Sequence, residues 1–160
     1  MDVNEEKETI LIVDDEPDIL NLLSEATERW GYQAVTARDG EEGLNKIENV
    51  PVDLLLTDFR MPKANGKVLV EKIKKISPDT SVIVFTGYSS VDGAVDLIKA
   101  GADEYLTKPV DLAKLKTTIA GLLKEKRAAG RNTILNSINW GLILSIPIWL
   151  ILGIILIRSL

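Results

Sequence analysis

The sequence predicts an α/β fold: a doubly wound parallel sheet of five strands with helices on both faces, followed by one hydrophobic C-terminal helix. Short apolar runs alternate five times with segments whose apolar side chains recur at helical spacing. Such alternation closes into a parallel sheet, because right-handed crossovers lay each helix against a sheet face. A third observation sets the tail apart. No residue between Arg131 and Arg158 is charged.

The elements follow in order. Residues 1–8 form a polar, acidic lead-in that does not read as a signal peptide. Thr9 to Val13 is an apolar strand running into Asp14-Asp15-Glu16. Pro17 suits the first turn of a helix, where its missing N–H costs nothing. Ile19, Leu22, Leu23, Ala26 and Trp30 give that helix its expected inward face, and Gly31 ends it. Tyr32 to Ala37 is a second strand. Asp39 or Gly40 opens a helix to about Asn49, with Leu44, Ile47 and Val50 inward. Leu54-Leu55-Leu56-Thr57-Asp58, between Pro51 and Pro62, reads as a strand buried on both faces. After a loop containing Met61 and Gly66, a helix from about Lys67 to Ile76 presents Val68, Leu69, Ile73 and Ile76. Ser77-Pro78-Asp79 is a turn and Ser81 to Thr86 the fourth strand. Val91 to Ala100 is a helix ended by Gly101, and Glu104 to Thr107 is the last strand, stopped at Lys108-Pro109. Asp111 then caps a helix with Leu112, Leu115, Ile119 and Leu122 inward, running to about Arg127.

Composition narrows the chemistry. The 160 residues include no cysteine and no histidine, which excludes disulfides, thiolate metal sites, Ser-His catalysis and a phosphohistidine donor role. All 24 acidic residues precede residue 128 and the net charge is −5, so non-specific nucleic-acid binding is not expected. Any reaction has to be run by carboxylates, a lysine, hydroxyls and a hard metal.

Residues 128–133 read as a linker, 134–157 as a transmembrane helix and 158–160 as the C-terminal end. Ile138 to Ile157 is about twenty uncharged residues, roughly 30 Å as a helix, the thickness of a bilayer core. Lys124, Lys126, Arg127 and Arg131 precede it and only Arg158 follows. By the positive-inside rule the globular part, 9–127, then lies on the cytoplasmic side of a bacterial-type inner membrane, anchored by a single pass. Gly141, Ser145 and Gly153 share one helical face, which would suit a weak homodimer within the lipid bilayer.

The candidate site collects strand ends. Ligands in open α/β sheets bind beyond the carboxyl ends of the strands. Asp14 and Asp15 follow the first strand, Asp58 ends the third, Thr86 the fourth, and Lys108 follows the fifth. An all-oxygen, hydrated set of carboxylates suits Mg2+, and an ionised aspartate beside it is a competent nucleophile toward phosphorus. Such transfer needs positioning and charge neutralisation more than an acid or base.

Ile12-Val13-Asp14-Asp15-Glu16, Thr57-Asp58-Phe59-Arg60-Met61-Pro62, Gly66, Thr86-Gly87 and the run Gly101 to Pro109 together make residues 9–127 resemble a response-regulator receiver domain of two-component signalling. The resemblance implies a flavodoxin-like strand order 2-1-3-4-5 and a sensor histidine kinase as phosphodonor. Asp58 would be the phosphoacceptor. Asp15 and Asp58 would ligate Mg2+ directly, with the Arg60 carbonyl as a third ligand and Asp14 acting through water. Lys108 would contact the phosphoryl group, and its bond to Pro109 is expected cis. Thr86 and Tyr105 would form the switch that alters a surface for a membrane-proximal protein target. Two other readings stay open. One is an unphosphorylated, receiver-like adaptor that localises or assembles a membrane complex. The other, an aspartyl-intermediate phosphatase, lacks the Asp-x-Asp its class would place after the first strand.

Overall fold

The structure is a computed structural model that describes residues 7–61, 66–87 and 91–130. By internal contacts the chain divides into two units, Met1–Leu123 and Lys124–Leu160. In the second, residues 124–130 are helical and mostly exposed. The expected transmembrane helix, 134–157, lies outside the described residues. No helix among the described residues is long and apolar enough to cross a membrane.

The first unit holds β1 (Thr9–Val13), α1 (Pro17–Arg29), β2 (Gln33–Ala37), α2 (Gly40–Asn49), β3 (Leu54–Asp58), α3 (Gly66–Ile76), β4 (Ser81–Thr86), α4 (Val91–Ala100) and β5 (Glu104–Thr107). A fifth helix, α5, begins at residue 112. The five strands form one parallel sheet in the order β2-β1-β3-β4-β5. This matches the expected topology.

Two apolar layers sandwich the sheet, and the two-residue period of a strand divides the side chains between them. Leu11, Val13, Leu55, Val82 and Val84 join Leu69, Val70, Ile73 and Leu97 of α3 and α4 on one side. Ile10, Ile12, Leu54, Leu56, Ile83 and Phe85 join Leu20 and Leu23 of α1 and Leu115, Ile119 and Leu123 of α5 on the other. β1, β3 and β4 are buried throughout, as their unbroken apolar runs require. A slip of one residue in any of them would exchange the two layers.

Several local expectations are met. Pro17 stands in the first turn of α1. Asp39 Oδ1 accepts from Glu42 N at 2.9 Å, and Asp111 Oδ1 accepts from Ala113 N at 2.9 Å and Lys114 N at 3.2 Å. Gly101 has φ +106°, a left-handed turn into β5 that a side chain would resist.

The helix faces need correction. On α1 it is Leu20 that is buried beside Leu23 and Ala26, whereas Leu22 is exposed. On α3 the buried set is Leu69, Val70 and Ile73, while Val68 and Ile76 are exposed. On α5 the buried residue near its end is Leu123, and Leu122 is only half-buried. β2 begins at Gln33, one residue later than expected. Apolar residues outnumber the places on each helix's inner stripe, so the angle at which the helix lies on the sheet selects among them.

Candidate functional site

Register brings the site residues to one rim. Val13 pairs with Thr57, Asp58 with Phe85, and Thr86 with Thr107. Asp14, one residue beyond β1, therefore emerges level with Asp58, and Lys108, one residue beyond β5, stands two residues further out on the same rim. The backbone continues the ladder past the strand ends: Asp14 N–H donates to Ala37 O at 3.2 Å, and Lys108 N–H to Thr86 O at 2.8 Å. The Lys108-Pro109 peptide is cis, as expected.

The Lys108 ammonium is the hub. Its Nζ donates to Asp58 Oδ2 at 2.9 Å, Asp14 Oδ2 at 3.1 Å and Glu16 Oε1 at 3.2 Å. It also lies 5.2 Å from the centre of the Phe85 ring, whose face favours a cation. Asp14 is wholly buried and Asp58 nearly so. Each carboxylate is tied to backbone as well. Asp14 Oδ1 accepts from Glu16 N at 2.8 Å and Asp58 Oδ1 from Arg60 N at 3.2 Å.

Burial pushes the Asp14 carboxyl above its ordinary value, and the nearby Asp58 charge adds to this. The Glu16 N–H and Lys108 pull it back only in part. For Lys108, burial acts to weaken the ammonium, but hydrogen bonds and charge from Asp58 and Asp14 outweigh it and hold the proton more tightly than usual. The lysine is thus fixed as a cation, suited to an anion and useless as a base.

Carboxylate oxygens of Asp14, Glu16 and Asp58 all lie within 4.8 Å of one another. This trio differs from the expected one. Asp15, expected as a direct Mg2+ ligand, is exposed and is not among the three. Asp14 turns inward to accept the Glu16 N–H, so its neighbour is left facing outward as the chain quits the strand. Glu16 was missed because a glutamate at a helix start ordinarily reads as a response to the helix dipole. The available signal was the unbroken Asp14-Asp15-Glu16 run, in which alternate residues share a side.

Glu16, Asp58, Arg60, Thr86, Gly87 and Lys108 line an open cavity of about 320 Å3 over the rim. Thr86 is buried at its wall. Tyr105 is half-buried against the core layer that contains Val84. Gly66 explains how the loop after Asp58 is held: its N–H donates to Phe59 O at 3.0 Å, and a Cβ there would lie 2.6 Å from Asp58 O and 2.8 Å from Phe59 Cα. Only glycine lets α3 begin so close to the acidic strand end.

The family described as response regulator receiver domain matches residues 10–120. This chain belongs to that family. Among curated relatives, the response regulator protein PilR of Pseudomonas aeruginosa is 42% identical over 118 residues, which are 74% of this chain and 26% of that protein. The transcriptional regulatory protein ZraR of Klebsiella oxytoca is 38% identical over 122 residues, 76% of this chain and 28% of that protein. The chain thus spans about a quarter of the length of these relatives. Among solved structures, a receiver domain from Methanospirillum hungatei has 38% identity and a TM-score of 0.75, covering 77% of this chain and 98% of that one. The beryllofluoride-activated NtrC4 receiver domain dimer has 39% identity and a TM-score of 0.71, covering 74% and 98%. Receiver domains are phosphoacceptor signalling domains that bind Mg2+, and in this one Asp14, Glu16 and Asp58 are clustered as acidic residues are in such domains.

Proposed function

We propose that this chain is a membrane-anchored response regulator in which Asp58 accepts a phosphoryl group from a sensor histidine kinase. The observation that carries the reading is the 2.9 Å contact between Asp58 and the Lys108 ammonium at an open rim. An Asp58 oxygen attacks phosphorus, the bond from phosphorus to the donor nitrogen breaks, and the leaving imidazole keeps that electron pair. Asp58 is oriented by the Arg60 N–H, and Lys108 bonds the transferred group. The all-oxygen donor set with an open side fits Mg2+, which Asp14, Glu16 and Asp58 would hold, joined by the Arg60 carbonyl and by Asp15 if it turns in. When bound, the ion neutralises charge on the phosphoryl oxygens.

The switch follows from contacts available only after transfer. Thr86, on the cavity wall, can then donate its hydroxyl to a phosphoryl oxygen, and Tyr105 repacks behind it, changing the surface offered to a membrane-proximal protein target. The uncharged segment 134–157 would keep the receiver at the cytoplasmic face of the inner membrane, where a tether raises its effective concentration near membrane sensors. Weak homodimerisation through Gly141, Ser145 and Gly153 belongs to the same proposal.

The test is phosphotransfer from purified histidine kinases to the full chain with Mg2+, beside Asp58→Ala. Label on the wild type and none on the variant is the expected outcome. Equal labelling would overturn the assignment, and no labelling of either by kinase or acyl phosphate would favour the adaptor reading. Carbonate extraction of membranes checks the anchor: a chain released into the supernatant is not membrane-spanning.

A further inference from the structure

The three N–H bonds of the Lys108 ammonium are all engaged, one on each of Asp58, Asp14 and Glu16. An ammonium has only three to give. If Lys108 is to bond an incoming phosphoryl oxygen, one of these carboxylates has to let go. Asp14 is held fast, with a side chain of zero exposure and its other oxygen on the Glu16 N–H at 2.8 Å. Asp58 is the acceptor itself, its side chain only 8% exposed. Glu16 makes the longest of the three contacts, and its side chain is 62% exposed, so water can take it up at once. Release falls to Glu16.

A second observation sets this side chain apart. Glu16 is the N-cap residue of α1, yet its side chain makes no capping hydrogen bond. Serine, threonine, aspartate or asparagine is preferred at such a position because each can satisfy a free helical N–H. Here the longer glutamate forgoes the cap and reaches Lys108 instead. The helix gains no capping hydrogen bond from it, and the site gains a third anion.

We propose that Glu16 is a placeholder on Lys108, occupying the hydrogen bond that the phosphoryl group takes and thereby setting how readily the resting site accepts an anion. The inference rests on the phosphoacceptor reading above and deepens it. Glu16 is a positioning residue: it is displaced when the phosphoryl group arrives and forms no bond to phosphorus. Its negative charge also opposes an incoming phosphoryl anion, so contact and charge act in one direction.

The experiment measures binding of beryllofluoride to the full chain at saturating Mg2+ by calorimetry, for wild type and Glu16→Ala, with Mg2+ binding alone measured in parallel. Glu16→Ala is expected to bind beryllofluoride about three- to tenfold more tightly, the size of a partly exposed charge-assisted contact that no longer has to be broken. Its Mg2+ affinity is expected to fall, because one carboxylate of the trio is gone. The opposite signs are diagnostic. Unchanged or weaker beryllofluoride binding by Glu16→Ala, with wild type binding normally, overturns the placeholder alone. No binding by wild type, or equal binding by Asp58→Ala, overturns the phosphoacceptor reading and the placeholder with it.

Discussion

The two rims of the sheet use aspartate in opposite ways. At the amino rim, Asp53 Oδ2 accepts from Thr9 N at 3.0 Å and Asp103 Oδ2 from Val82 N at 2.7 Å. Lys74 joins Asp103 at 2.9 Å and also donates to Thr80 O at 2.9 Å. Those two carboxylates answer strand N–H groups at separate places, so the fold is relieved by them. At the carboxyl rim, Asp14, Glu16 and Asp58 crowd around one lysine, and burial works against the charge on Asp14. A structural aspartate finishes a hydrogen-bond ladder. A functional one sits where burial makes charge costly, beside a cation and open to a phosphoryl group.

Removing an aspartate charge should therefore change stability with opposite signs at the two rims. The largest effect is expected from Asp103→Ala. It removes the acceptor from a backbone N–H in the fully buried β4 and the partner from Lys74, and should cost about 2–3 kcal/mol in denaturant unfolding. Beryllofluoride binding by the folded fraction should stay at the wild-type level; a loss at the distant rim would show that the rims are coupled.

Gly66→Ala comes next. Its Cβ would press on the Asp58 carbonyl and on Phe59 Cα, both backbone atoms, so the loop has to move at a cost of about 1–3 kcal/mol. Because the displaced backbone is that of Asp58 and Phe59, next to the Arg60 N–H that holds the Asp58 carboxylate, phosphorylation should slow together with the loss of stability. Normal transfer rates in a destabilised variant would mean that the glycine serves packing alone.

The smallest effect carries the sharpest contrast. Asp14→Asn keeps an acceptor for the Glu16 N–H but removes a buried negative charge, so the protein should gain on the order of 1 kcal/mol at neutral pH while Mg2+ binding weakens at least tenfold. The pH dependence carries the same sign. Asp14 has a raised carboxyl in the fold, so its favourable contribution is full below its ordinary value of 3.8 and lost as pH rises through the higher folded value. The stability advantage of Asp14→Asn over wild type should accordingly shrink as pH falls through that window. An advantage independent of pH would assign it to packing.

Much of this was legible beforehand because strand ends are simple to read. The apolar run Leu54 to Leu56 has one stable place, the middle of a sheet, and Asp58 follows it to the rim. Thr86 and Lys108 are located by the same reasoning. Helix faces were less legible: Leu20 and Leu22, or Val68 and Val70, are equally apolar, and only the helix's contact with the sheet distinguishes them. At the site, the sequence identifies three adjacent acidic residues but not which of them turns inward.

From its sequence alone this chain has its βα alternation, its parallel sheet, an acidic strand end with a lysine opposite, and a run without charge between Arg131 and Arg158. These rest on patterns local along the chain. The tertiary structure decided that Glu16 rather than Asp15 shares the ammonium of Lys108, and that Asp14 bears the greater burial. Residues 94 positions apart in the chain meet in the contact between Lys108 and Asp14. Direction and distance between such side chains are fixed only when strand register and the turn after β1 are both in place.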